Sequence, residues 1–161
     1  MLKIVEKLYF GFQYLAWKSR YNSYKKRYDI SNSFRFNGVG IAMYGDGVIK
    51  IGDNTYIGEY SSLQAYKNCK IAIGNNCSIS HYVRIYTYNM NPKDIINCKK
   101  EIMKNLGDVE IGDNCWIGVG VFIKEGVKIG NNVVIGANSV VTKDIPSNSI
   151  FAGNRIIKTI E

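Results

Sequence analysis

One histidine, four cysteines and two tryptophans stand in a chain of 161 residues, and they bound the chemistry open to it. His81, in ISHYVR, is the one side chain whose ordinary pKa lies near neutrality, which makes it the candidate general base. A single imidazole cannot furnish the three ligands of a catalytic zinc. Cys69, Cys77, Cys98 and Cys115 contain no CxxC pair, so neither a paired-cysteine metal site nor a dithiol redox motif is expected. Glu59, in IGEYSS, and Asp94, in NPKDII, are carboxylates that could orient a base or an acceptor. The stretch IYTYNMNP at 85–92 holds no histidine, and the Met90 thioether cannot act as a base at neutral pH.

The elements that must position these groups are read from a repeat. IGDNTY (51–56), IGNNCS (73–78), IGDNCW (111–116) and IGNNVV (129–134) share an aliphatic residue and a glycine, then two turn-formers, then Thr, Cys or Val. Partial copies lie between them: IGEYSS, ISHYVR, IGVGVF, IKEGVK and IGANSV. From Ile111 through Val140 the period of six is unbroken. Six is neither a helical period nor a simple strand alternation; it fits a short strand and a turn, with three hexads closing one coil. The first position then stacks as an axial ladder and the fifth fills a corner. Cys77 and Cys115 occupy that fifth position, which assigns them to packing. Asp-Asn and Asn-Asn supply left-handed turns.

Outside the hexads lie two other segments. Leu2, Val5, Leu8, Phe12, Leu15 and Ala16 recur at spacings of three and four, predicting a helix over 1–19 with one apolar stripe. Of the net charge of +8, most sits in residues 1–28, where seven lysines and arginines face one acidic residue. The stripe could cap the open end of the coils or pack on a partner subunit, since a solenoid needs a covered end. It could also meet an anionic lipid surface; nucleic acid binding has no recognition motif to support it. The other segment is 86–108, where the hexads stop and then resume, the mark of a projecting loop. No apolar run is long enough to span a bilayer, and the first residues lack the features of a secretory signal. A cytoplasmic protein with reduced thiols, its basic helix able to touch the inner face of the membrane, is the expectation.

The pattern resembles the hexapeptide-repeat acyltransferases, over roughly residues 37–161 and most strongly in IGDNCWIGVGVFIKEGVKIGNNVVIGANSVVTKDIP. It is most similar to the small sugar O-acetyltransferases of the maltose acetyltransferase and surface-polysaccharide type. The resemblance implies an all-β fold, a left-handed parallel β-helix over 37–161, preceded by the helical basic arm 1–36 and ending in a tail at 145–161. It also implies a homotrimer that moves an acetyl group from acetyl-CoA to a sugar hydroxyl in an intersubunit groove. Trp116, Gly118, Val119, Ala137, Thr142 and Lys143 match positions along the coenzyme. Arg155 and Lys158, in AGNRIIK, could meet its phosphates, although Arg155 and Ile156 replace the Pro and Ala of the family's AGNPAK. Tyr88 and Met90 stand where such enzymes carry histidines in the loop, and with Glu59 and Asp94 they fall on the acceptor side. His81 is then the remaining candidate base. A second reading follows from the same departure: a catalytically weakened β-helix that binds coenzyme A or serves as a scaffold.

Overall fold

In the computed structural model, which describes Leu2 to Thr159, a helix leads into five coils of parallel strands. Helix α1 (Leu2–Arg27) runs beyond the expected limit at residue 19. The first coil comprises β1 (Asp29–Ile30), β2 (Arg35–Asn37) and β3 (Ala42–Tyr44), and the second β4 (Val48–Ile51), β5 (Tyr56–Gly58) and β6 (Ser62–Gln64). The third holds β7 (Lys70–Ile73), β8 (Ser78–Ile79) and β9 (Arg84–Tyr86). An arm follows, built from β10 (Tyr88–Met90), α2 (Pro92–Ile96) and β11 (Lys104–Leu106). The fourth coil is β12 (Val109–Ile111), β13 (Trp116–Ile117) and β14 (Phe122–Ile123), and the fifth β15 (Lys128–Ile129), β16 (Val134–Ile135) and β17 (Val140–Val141). The last described elements are β18 (Ser149–Ala152) and β19 (Arg155–Thr159).

Three flat faces result. The first stacks β1-β4-β7-β12-β15, the second β2-β5-β8-β13-β16-β18, and the third β3-β6-β9-β14-β17, with every neighbour in these stacks parallel. The hexad logic produces this directly. Ile57, Ile79, Ile117 and Ile135 are stacked in register and buried, each worth about 1.5–3 kcal/mol of apolar burial. At one corner Asn54, Asn76, Asn114, Asn132 and Asn148 all take φ between +53 and +59. Their amides form a ladder: Asn76 Nδ2 donates to Asn114 (3.2 Å), Asn114 to Asn132 (3.1 Å) and Asn132 to Asn148 (2.9 Å).

Two boundaries move. The division expected at residue 37 falls inside β2, because the first coil opens at Asp29, where β1 pairs with β4. The early coils are longer, pairing Ile51 with Ile73 whereas Ile111 pairs with Ile129, which is why the six-residue rhythm is faint there. The expected tail from 145 onward is ordered structure: β18 joins the second face and β19 folds back on it antiparallel.

The second half of α1 closes the open end. Tyr24 and Tyr28 are buried with Phe34, and Tyr21 stacks on Phe36 with ring centroids 4.2 Å apart. The Tyr21 hydroxyl donates to the Gly38 carbonyl (2.9 Å), and Arg27 donates to that of Gly45 (2.6 Å). The first half carries no such cover: Leu2, Val5, Leu8, Phe12 and Leu15 are exposed. Among the described residues no helix is long and apolar enough to cross a membrane.

Cys77 and Cys115 fill a corner as the repeat requires, each buried, with their thiols directed at the carbonyls of Gly112 (3.1 Å) and Gly130 (3.2 Å). Cys69 is buried as well, whereas Cys98 is exposed on the arm. A thiol reagent applied to the folded protein should therefore label Cys98 alone, and all four cysteines after denaturation, as read by intact mass.

The arm is closed at its root by the Gly107 N–H donating to the Thr87 carbonyl (3.0 Å), and β10 pairs antiparallel with β11. Asp94, expected on the acceptor side, instead ties the arm together and is only 2% exposed. Its carboxylate accepts from the Met103 N–H (3.0 Å) and pairs with Lys99 Nζ (2.6 Å). The Lys99 ammonium, then the Met103 N–H, hold its carboxyl below the ordinary aspartate range. A depressed folded pKa stabilises the arm above the ordinary aspartate value, and that contribution fades as acid protonates the group. Asp94→Asn should thus open the arm at neutral pH, seen as faster proteolytic nicking between residues 86 and 108 with the coils intact.

Candidate active site

The outward positions of the second face form a shallow trough. Gly58, Ser80, Gly118, Gly136 and Ala152 follow one another up the coils as a stripe of small residues. Small size is enforced by the stacking itself: a Cβ on Gly118 would lie 2.7 Å from the Ala137 nitrogen. Beside the stripe runs Tyr56, Ser78, Trp116, Val134 and Ile150, from which the indole of Trp116 stands out at 58% exposure. At the far end β19 brings Lys158 opposite Ile150 and Arg155 opposite Ala152. Two cations therefore close the trough, and neither makes an ion pair among the described residues.

The other wall is a corner column in which Glu59, His81, Val119 and Ala137 succeed one another. Its register follows from Tyr82 N–H donating to Glu59 O (3.0 Å), Gly120 N–H to His81 O (3.0 Å) and Asn138 N–H to Val119 O (2.8 Å). The fold thus gathers His81, Glu59, Trp116, Gly118, Val119, Ala137, Arg155 and Lys158, which are scattered in sequence, around one trough. The Gly118 N–H is spent on the Ile135 carbonyl (2.8 Å). That of Val119 has no acceptor among the described residues, so it is the better candidate to face a developing oxyanion.

His81 is half exposed, with its Nδ1 accepting the Glu59 backbone N–H at 3.1 Å. The Glu59 carboxylate lies 3.9 Å from the same nitrogen. With Nδ1 occupied as an acceptor, the neutral ring carries its proton on Nε2. Proton uptake at Nε2 needs the opposite tautomer, with Nδ1–H turned to the Glu59 carboxylate.

Other expected residues lie apart. Thr142 and Lys143 follow β17 on the third face, away from Trp116 within one protomer. Tyr88 and Met90 belong to the arm, which springs from the corner after the third face, whereas His81 sits at the corner before it. Tyr88 packs on Tyr66 (centroids 4.8 Å), and Lys104 Nζ caps that ring at 4.4 Å. Met90 is exposed. Within a single chain the arm and the imidazole thus occupy opposite edges of the third face. Among the described residues no three His, Cys, Asp or Glu side chains converge as a metal site would need.

Tyr60 and Tyr82 escaped sequence reasoning. They adjoin Glu59 and His81, stack with centroids 5.3 Å apart, and hold φ of +57 and +58. Left-handed backbone costs a non-glycine residue on the order of 1–3 kcal/mol and clusters at functional sites. The signal was in the hexads: at their fourth position the later coils carry Asn or Gly, and only IGEYSS and ISHYVR carry tyrosine.

Comparison with known proteins agrees with this architecture. A profile of the bacterial transferase hexapeptide (six repeats) matches residues 108–143. The crystal structure of a maltose O-acetyltransferase from Clostridium difficile 630 is 37% identical, covers 80% of this chain and 71% of its own, and superposes with a TM-score of 0.62. The hexapeptide-repeat acetyltransferase VCA0836 of Vibrio cholerae O1 biovar eltor, solved with acetyl coenzyme A, is 25% identical over 89% of this chain and 78% of its own, TM-score 0.73. The polysialic acid O-acetyltransferase of Escherichia coli O1:K1 is 38% identical over 131 residues, 80% of this chain. The chain belongs to the hexapeptide-repeat transferase family. It spans about half the length of the curated relatives it matches, 42% in the case of the polysialic acid enzyme.

Proposed function

We propose that this protein is an acetyl-CoA-dependent O-acetyltransferase that acts on a sugar hydroxyl of a surface polysaccharide. The observation that carries the reading is the trough: a small-residue floor, an exposed indole on one side, His81 on the other, and two cations at one end. A long, flexible thioester with an anionic head fits that order of groups, Trp116 and Ala137 lying along its arm and Arg155 and Lys158 at its phosphates. The maltose and polysialic acid acetyltransferases among its relatives support a sugar as acceptor. Four unpaired cysteines suit a reducing cytoplasm.

In this reading the acceptor hydroxyl oxygen adds to the thioester carbonyl carbon, giving a tetrahedral oxyanion whose collapse breaks the carbon–sulfur bond. The hydroxyl proton passes to His81 Nε2 and from there to the departing thiolate, with the Val119 N–H facing the oxyanion. Glu59 is a positioning residue whose carboxylate, 3.9 Å from Nδ1, would accept the Nδ1–H of the tautomer that frees Nε2.

A trimer accounts for what one chain leaves apart. Association would bring the arm of one subunit, with Tyr88 and Met90, to the trough of the next, along with Thr142 and Lys143. It would also cover the exposed stripe of α1, which otherwise leaves Leu2, Leu8 and Phe12 in water. Calorimetry with coenzyme A, followed by thiol release from acetyl-CoA with candidate sugars, tests the reading; a folded protein that binds no coenzyme would sink it. The proton on Nε2 and the absence of a basic group at Met90 favour one other reading, a weakened enzyme retained as a coenzyme-binding subunit. Met90→His would then raise turnover strongly.

A further inference from the structure

A cavity of about 560 Å³ lies between α1 and the start of the second face, within the size range of small-ligand sites. Its wall is aromatic: Trp17 and Tyr21 from the helix (centroids 5.7 Å apart) and Phe36 and Tyr56 from the coils. Lys18, Lys25 and Arg35 also line it; among the described residues no carboxylate lines it, and that of Glu59 abuts Gly38 at its floor. None of the three cations makes an ion pair among the described residues. Lys25 Nζ donates only to the Asn32 carbonyl at 3.3 Å, and the Arg35 guanidinium rests over Tyr56 at 5.7 Å.

The cavity borders the trough, since Tyr56 and Gly38 belong to its lining. Its floor includes Gly38, which is held by the Tyr21 hydroxyl and sits directly under Glu59, one step below His81. Glycine is needed there twice over: φ is +120, and a Cβ would lie 2.7 Å from that of Glu59. A ligand extending from the cavity past Gly38 would meet Glu59 next, and then the proposed base one coil further on.

We infer that this cavity binds the part of the acceptor next to the acetylated residue, and that it selects a sugar bearing an anionic group. The aromatic faces cover the apolar side of a sugar ring, and three uncompensated cations favour a carboxylate or phosphate over a neutral ring. The inference takes its ligand class from the sugar acetyltransferase reading.

Trp17 is one of two tryptophans, so Trp116→Phe leaves it as the sole indole reporter. That variant is titrated with a uronic acid tetrasaccharide, with glucose 1-phosphate and with maltotetraose. The expected result is a Trp17 response to an anionic probe, weakened by added salt, with little response to maltotetraose; which anion responds identifies the carboxylate or the phosphate source. Arg35→Glu should weaken binding about tenfold or more, while Arg35→Lys, which keeps the charge, should restore most of it. Equal responses to neutral and anionic probes, or indifference to Arg35→Glu in a protein with an unchanged circular dichroism spectrum, would overturn the inference. Coenzyme A is titrated into the native chain in parallel. Coenzyme binding without an anionic-sugar response refutes the cavity and spares the acetyltransferase reading; the reverse refutes that reading and the acceptor role with it, leaving an anionic-sugar site.

Discussion

Replacing His81 with asparagine is expected to lower kcat about 10²–10⁴-fold, the usual worth of a positioned acid–base group, with the KM for acetyl-CoA nearly unchanged. Among the described residues the imidazole is held by Glu59 alone, through its backbone N–H and carboxylate, so coenzyme affinity should not depend on it. Glu59→Gln tests the tautomer argument separately. The amide keeps the size of the side chain and leaves the backbone N–H that donates to Nδ1 at 3.1 Å. It removes the carboxylate that would stabilise the Nδ1–H form, so kcat should fall about tenfold to a hundredfold. Steady-state kinetics over a range of pH separates the cases. A merely structural Glu59 would leave the pH profile of Glu59→Gln where it was, and full activity in His81→Asn would place the base elsewhere.

The second large effect is on stability. Ile117→Ala should cost about 2–5 kcal/mol, measured as a drop in the urea midpoint at constant slope. Ile117 is wholly buried and lies between Ile79 below and Ile135 above. Backbone hydrogen bonds fix the spacing of successive coils, so the lattice cannot collapse to fill the lost volume, and the cost belongs near the upper end of that range. In a solenoid each coil touches only its neighbours, so the defect should loosen the third to fifth coils more than the first. Hydrogen exchange resolved along the chain would register that gradient.

The unbroken hexads from Ile111 to Val140 made the later coils legible, because each position has one duty: Ile inward, Asn in the left-handed turn, a small residue at the corner. The early coils hid themselves by lengthening one corner, and the first was hidden further by packing aromatics (Phe34, Phe36) where later coils pack isoleucine. The helix was readable as apolar, but its full length was not, since Tyr21, Tyr24 and Tyr28 break the aliphatic stripe and belong to the cap. At the site, the alignment of His81 with Glu59, Val119 and Ala137 follows from hexad arithmetic. The tautomer, the inward turn of Asp94 and the stacked Tyr60–Tyr82 pair depend on side-chain contacts between coils that no single hexad contains.

The arm leaves and re-enters the coils at one corner, its two ends drawn together by a single backbone hydrogen bond between Gly107 and Thr87. Above and below that point the coils stack as if nothing had been inserted, β12 resting directly on β7. The consequence is an evolutionary one. Arms of other lengths and compositions could be exchanged at this junction without disturbing the register of the coils or the trough on the second face, so the arm can diverge while the coils are inherited intact.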